Sequence, residues 1–141
     1  MKKDIKFPVV EGVYIALIKE AIAPDENKDD VQQDTEPKEW HAYLVNTNPL
    51  ALEGIMIVSQ GFKDDRKTSK FRHAFPLLKA HSTLKFEMIM PEVLTFENQF
   101  MLSFFMSAKL YDKKYVLTPE KINIEALEDI PYLEQKGILL Q

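Results

Sequence analysis

In FENQFMLSFFMSAKLYDKKYVLTP, residues 96–119, apolar side chains recur at every second position. Phe100, Leu102, Phe104 and Met106 fall on one face, and Met101, Ser103, Phe105 and Ser107 on the other. A period of two belongs to a strand. The pattern predicts a hairpin with arms Gln99 to Ser107 and Leu110 to Leu117, joined through Ala108 and Lys109. A strand with one face in solvent would carry polar residues there, yet Met101 and Phe105 are apolar. Either the strand is central, or a carboxy-terminal segment bearing Ile130, Tyr132, Leu133 and Ile138 caps that face, or it receives a partner or a second copy of the chain.

The same period runs upstream. Val10 to Glu20 alternates as a strand, with Val13, Ile15 and Leu17 opposite Tyr14, Ala16 and Ile18. WHAYLVNT places Trp40, Ala42 and Leu44 opposite His41, Tyr43 and Val45, so it is expected to be central and covered on both sides. NTNPLALEG is rich in turn residues, and GIMIVSQGF is again apolar on both faces. A short strand around FRHAFPLL and a turn at LKAHST lead to TLKFEMIM. There Leu84, Phe86 and Met88 are expected inward and Lys85 and Glu87 outward, and Pro91 ends the run. Thr118, Pro119 and Glu120 could open one short turn of helix, and GILLQ reads as an edge strand. The count is seven or eight strands at sandwich spacing. The predicted fold is an all-β, immunoglobulin-like antiparallel β-sandwich, one domain over residues 1–141. It has a mobile acidic loop at 24–38 and a short irregular carboxy-terminal extension at 118–141.

Composition narrows the function. The 141 residues include four glycines, too few for a glycine-rich phosphate cradle, and no cysteine, which excludes a disulfide framework and a cysteine nucleophile. No stretch approaches the ~18 apolar residues of a membrane helix. MKKDIKFPVVEGVYIALIKEA starts like a signal peptide, but Glu11 and Glu20 interrupt it, so a cytoplasmic location is expected. The net charge of −4 is uneven. Residues 25–39 hold seven acids against Lys28 and Lys38, a run that solubilises or meets a basic partner.

Residues 62–75, FKDDRKTSKFRHAF, carry the opposite sign. Lys63, Arg66, Lys67, Lys70 and Arg72 could contact phosphate, with Phe71 and Phe75 available for stacking and Lys113 and Lys114 as further bases. Alternation from Lys70 sets Phe71, His73 and Phe75 toward the core and Arg72 outward, while Asp64 and Asp65 offset part of the charge. A solvated hairpin loop is the expectation. His41, His73 and His81 lie on separate elements without helical metal-ligand spacing, so no metal or cofactor is expected. No serine sits in a Gly-x-Ser-x-Gly turn. Glu87 and Glu53 are the acids whose burial would alter this view.

WHAYLVNT, LEGIMIVSQG and LLKAHSTLKFEMI together resemble the strand-and-turn rhythm of bacterial immunoglobulin-like domains over about residues 9–117. LYDKKYVL with the following TPE, FRHAF and KGILLQ look like a group of short uncharacterised bacterial proteins. Some of those carry the label phenylalanyl-tRNA synthetase alpha subunit. A class II synthetase core needs arginine-bearing ATP motifs, one of them glycine-rich, whereas this chain has two arginines and four isolated glycines. What the resemblance implies is a binding or scaffolding domain. The expected function is a non-catalytic protein-interaction or accessory module that can self-associate, with Met101 and Phe105 on its contact face. The alternative is a weak RNA- or phosphate-binding module using the basic loop.

Overall fold

The computed structural model describes residues 8–21 and 38–141. Two antiparallel sheets pack face to face. The first follows the order β6-β2-β1-β10-β9, where β1 is Val13–Ala21, β2 Lys38–Asn46, β6 Ser82–Ile89, β9 Glu128–Asp129 and β10 Lys136–Leu140. The second runs β3-β7-β8, with β3 (Leu52–Lys63), β7 (Glu97–Met106) and β8 (Lys109–Leu117). Both β4 (Arg66–Lys67) and β5 (Phe71–Leu78) pair with the outer side of β3. The all-β sandwich expected from the alternation is thus present. Of the ten strands among the described residues, β4 and β9 are two residues long, which leaves eight of ordinary length. The acidic loop lies outside the described residues apart from Lys38.

The inner faces follow the sequence pattern. Val13, Ile15, Leu17, Trp40, Ala42 and Leu44 meet Ile55, Ile57, Phe100, Leu102 and Phe104 in the principal core. Tyr115 is wholly buried, and its hydroxyl donates to the Val13 carbonyl at 2.5 Å, bonding the second sheet to the first. Asn46 is buried where β2 ends. Its amide donates to the Leu50 and Lys79 carbonyls, and its oxygen accepts from the Asn48 N–H, so one side chain organises two neighbouring turns.

Several expectations shift. The β7–β8 turn is Ser107-Ala108, not Ala108-Lys109, and both residues have positive φ, as a two-residue hairpin requires. The first strand begins at Val13, because Gly12 has a φ of 71° and bends the chain. The extension after Leu117 is only partly irregular. Pro119–Lys121 and Ile124–Ala126 are 3-10 turns, and β10 is no edge strand, since it pairs with β1 on one side and β9 on the other. Gly137 permits that docking, for a Cβ there would collide with the Leu17 carbonyl oxygen.

That placement decides what the carboxy-terminal segment covers. Ile130 and Leu133 pack with Ala16, Ile18, Tyr43 and Val45 on the outer face of β1 and β2. β2 is therefore covered on both sides, as its sequence implies. The expected alternative, the same segment lying over Met101 and Phe105, does not occur.

A bulge corrects the reading of β6. The β2–β6 register shifts between Ala42 and Tyr43, so Tyr43 pairs with Lys85 while Ala42 pairs with Glu87. Phe86 and Glu87 then both turn toward the crevice between the sheets, and Met88 turns outward to 45 % exposure. An extra residue in one strand reverses every later side chain.

Candidate functional site

With the carboxy-terminal segment elsewhere, the outer face of the second sheet is left uncovered by the described residues. Strand register arranges it in rows. One row runs Arg72, Val58, Met101, Lys114 across β5, β3, β7 and β8, and the next runs Ala74, Met56, Ser103, Asp112. A third carries Leu77, Glu53, Phe105 and Leu110. Met56, Leu77, Met101, Phe105 and Leu110 are all exposed, Met101 at 40 % and Phe105 at 45 %. Phe105 rises over Gly54, whose Cα sits at a bulge with φ 54° and whose missing Cβ leaves room for the ring. Spacings of about 4.8 Å between strands and 3.3 Å along them give this face roughly 450 Å². Apolar residues fill its middle, and Arg72, Lys114, Asp112 and Glu53 are set among them.

The basic residues of the 62–75 stretch do not form one surface. Asp64 and Asp65 turn the β3–β4 hairpin, and Lys63 and Arg66 both lie over the Phe96 ring, at 5.7 and 5.6 Å from its centre. Lys67 and Lys70 are exposed near that hairpin, whereas Arg72 stands on the outer face of the sheet. Of the two further bases, Lys114 shares the row of Arg72, and Lys113 lies over Tyr115. Phe71 departs from expectation. It shares the inward direction of His73 and Phe75 but is 55 % exposed, because it opens β5 where the crevice reaches solvent.

Glu87 is the residue that alternation misplaced. Its side chain is 14 % exposed, and its Oε1 accepts from Ser59 Oγ at 2.5 Å and meets His73 Nε2 at 2.8 Å. The imidazole packs edge-on against Phe86. Serine and histidine here share one carboxylate oxygen, so the imidazole is not aligned to take the hydroxyl proton as a nucleophilic pair requires. A signal for this cluster did exist, in an acid flanked by Phe86 and Met88, but the bulge that turns it inward has no mark in the sequence.

A second polar cluster lies on the outer face of the first sheet. Glu20 accepts from the Tyr43 hydroxyl at 2.8 and 3.0 Å and pairs with Lys85 Nζ at 2.8 Å. His41 stands between two acids. Its Nδ1 sits 2.8 Å from Glu20 Oε1 without a hydrogen bond along that line, and its Nε2 lies 3.2 Å from Glu39. Burial would raise the Glu20 carboxyl, but the hydrogen bonds from Lys85 and Tyr43 and the charges of Lys85 and His41 outweigh it and hold it below the usual range. The bond to Glu20 raises Lys85 in turn. His81, in the β5–β6 turn, contacts the Tyr132 hydroxyl through Nδ1 at 2.9 Å and ties the carboxy-terminal segment to that turn. Among the described residues no three His, Asp or Glu side chains are arranged to surround one cation.

Comparison with family models, with curated proteins and with solved structures finds no match to this chain.

Proposed function

We propose that this protein is a non-catalytic interaction module that associates weakly with a second copy of itself through the outer face of the β5-β3-β7-β8 sheet. The observation that carries this reading is the exposed row set of Met56, Met101, Phe105, Leu77 and Leu110, which no other part of the described chain covers. A face of this size is on the scale of the largest apolar patch of a typical monomer, a patch that is often functional.

Charge favours a second copy as the occupant. Lys114 and Asp112 stand two residues apart on the same face of β8, in adjacent rows. A twofold axis parallel to the rows and midway between them sets Lys114 of each copy against Asp112 of the other, with Met101 over Ser103 beside them and Val58 over Met56 beyond. An area of roughly 450 Å² per copy is below the ~800 Å² of a standard interface, so micromolar or weaker association is expected. The sandwich itself belongs with immunoglobulin-like folds in this reading. Support comes from its connectivity, in which β6 returns beside β2 and β7 beside β3, as in a Greek key.

The reading as an RNA- or phosphate-binding module has less support, since Lys63 and Arg66 gather on Phe96 while Arg72 stands on another face. Sedimentation equilibrium across a concentration series tests the proposal. Wild type is expected to show a monomer–dimer equilibrium that Met101→Glu/Phe105→Glu abolishes without loss of folding. A wild type that stays monomeric to millimolar concentration, or a variant that still dimerises, overturns it.

A further inference from the structure

Away from the outer face, the crevice between the sheets opens beside β5 and β6 as a pocket of about 100 Å³. Its polar lining includes Glu87, Ser59 and Asn98, and its apolar lining includes Phe71, Met88 and Met90. All three of those apolar residues are exposed.

Gln60, also in this lining, gives one amide N–H to the Thr68 carbonyl and keeps the other, whereas Asn98 and Glu87 have acceptors left over. Asn98 uses its amide N–H groups on the Val93 and Phe96 carbonyls, at 2.9 and 3.2 Å, so its Oδ1 remains. Glu87 Oε1 is taken by Ser59 and His73, while Oε2 carries no bond among the described residues. The complement of a carboxylate oxygen and an amide oxygen side by side is a positive group with donors alone. A primary ammonium is that group, with three donors and no acceptor. Met88 borders the pocket from the outward side of β6, the thioether of Met90 suits a methylene stem, and the Phe71 ring suits a cation beside it.

The pocket mouth also lies between two sheet edges. Among the described residues β6 pairs with β2 alone and β5 with β3 alone, so each presents a backbone edge, unpaired by those residues, to which an extended segment can add. We propose that this pocket takes the side-chain ammonium of a lysine carried on an extended segment of a partner protein, with Glu87 as its counter-charge.

The test follows the methionine methyl signals of the whole chain by NMR, with Met88 and Met90 assigned by substitution. The probes are a capped pentapeptide with one central lysine, the same peptide with that lysine acetylated, and n-butylamine. The lysine peptide is expected to shift both methyls saturably, the acetylated peptide to shift neither, and n-butylamine to bind more weakly than the peptide. Glu87→Gln should weaken the lysine peptide about tenfold or more, the scale of a lost charge-assisted hydrogen bond. Phe71→Ala, at an exposed position, should weaken it while the protein stays folded. Absence of a saturable shift, equal binding of the acetylated peptide, or n-butylamine binding as tightly as the peptide would overturn the proposal. Because the readout is at Met88 and Met90, failure here leaves the Met101 and Phe105 face untouched.

Discussion

At the scale of single residues, Tyr115 and Glu20 show how polar groups are kept inside or against an apolar sandwich. The Tyr115 hydroxyl is buried and bonded to Val13, and burial drives its ionisation far above the ordinary range, so it stays a neutral donor. Tyr115→Phe keeps the ring but strands the Val13 carbonyl, and should cost about 1–3 kcal/mol, read as a lower urea midpoint at unchanged slope. The lowered Glu20 carboxyl contributes stability that is present above its ordinary value of 4.5 and lost as pH falls through its folded value. Glu20→Gln should therefore be less stable than wild type at pH 7, with the gap closing as pH drops below 4.5; urea melts at a series of pH values measure it. Residues of this kind were only partly legible. The neighbourhood of Asn46 and the inward Phe100, Leu102 and Phe104 follow from turn chemistry and alternation. Glu87 and Phe71 do not, since their surroundings come from the opposite sheet and from where the crevice opens.

At the scale of elements, alternation was a sound guide wherever a strand keeps its pleat, and it failed at the point where a bulge breaks it. β1, β2 and β7 each show the faces their sequences imply. In β6 the shift at Ala42/Tyr43 exchanges Glu87 and Met88, and local sequence carries no sign of it because a bulge is set by the pairing of two strands. The carboxy-terminal segment was illegible for a related reason. Its apolar residues could cover either sheet, and β10 is committed to β1 by close backbone approach at Gly137. Gly137→Ala places a methyl group against the Leu17 carbonyl, so β10 must withdraw. Amide exchange should then rise in Ile138–Leu140 and along the facing part of β1, while β7 and β8 stay protected. The β3–β4 hairpin is the reverse case, an element whose side chains serve little else. Arg66→Ala/Lys67→Ala/Lys70→Ala should leave stability within about 0.5 kcal/mol of wild type by urea melt, the usual range for surface changes.

At the scale of the whole molecule, the two sheets differ in how their outer faces are covered, and that asymmetry is the basis for the function proposed. The first sheet has its outer face packed by Ile130 and Leu133 and closed at one end by the Glu20–Tyr43–Lys85 network. The second presents Met56, Met101, Phe105 and Leu110 to solvent in rows they share with Arg72, Lys114, Asp112 and Glu53. Met101 and Phe105 stood out in the sequence because a half-solvated strand would not carry them. That their face is open depended on where residues 130–140 pack, which only the structure supplies. Self-complementary charge on β8 gives the most direct test, by sedimentation equilibrium of wild type, Lys114→Asp and Lys114→Asp/Asp112→Lys. Two rim pairs related by symmetry, each of up to about 1 kcal/mol, should make the single reversal several-fold to tenfold weaker or more, and the double reversal should recover the wild-type constant. A double variant no tighter than the single one, or three proteins with the same constant, would contradict association through this face.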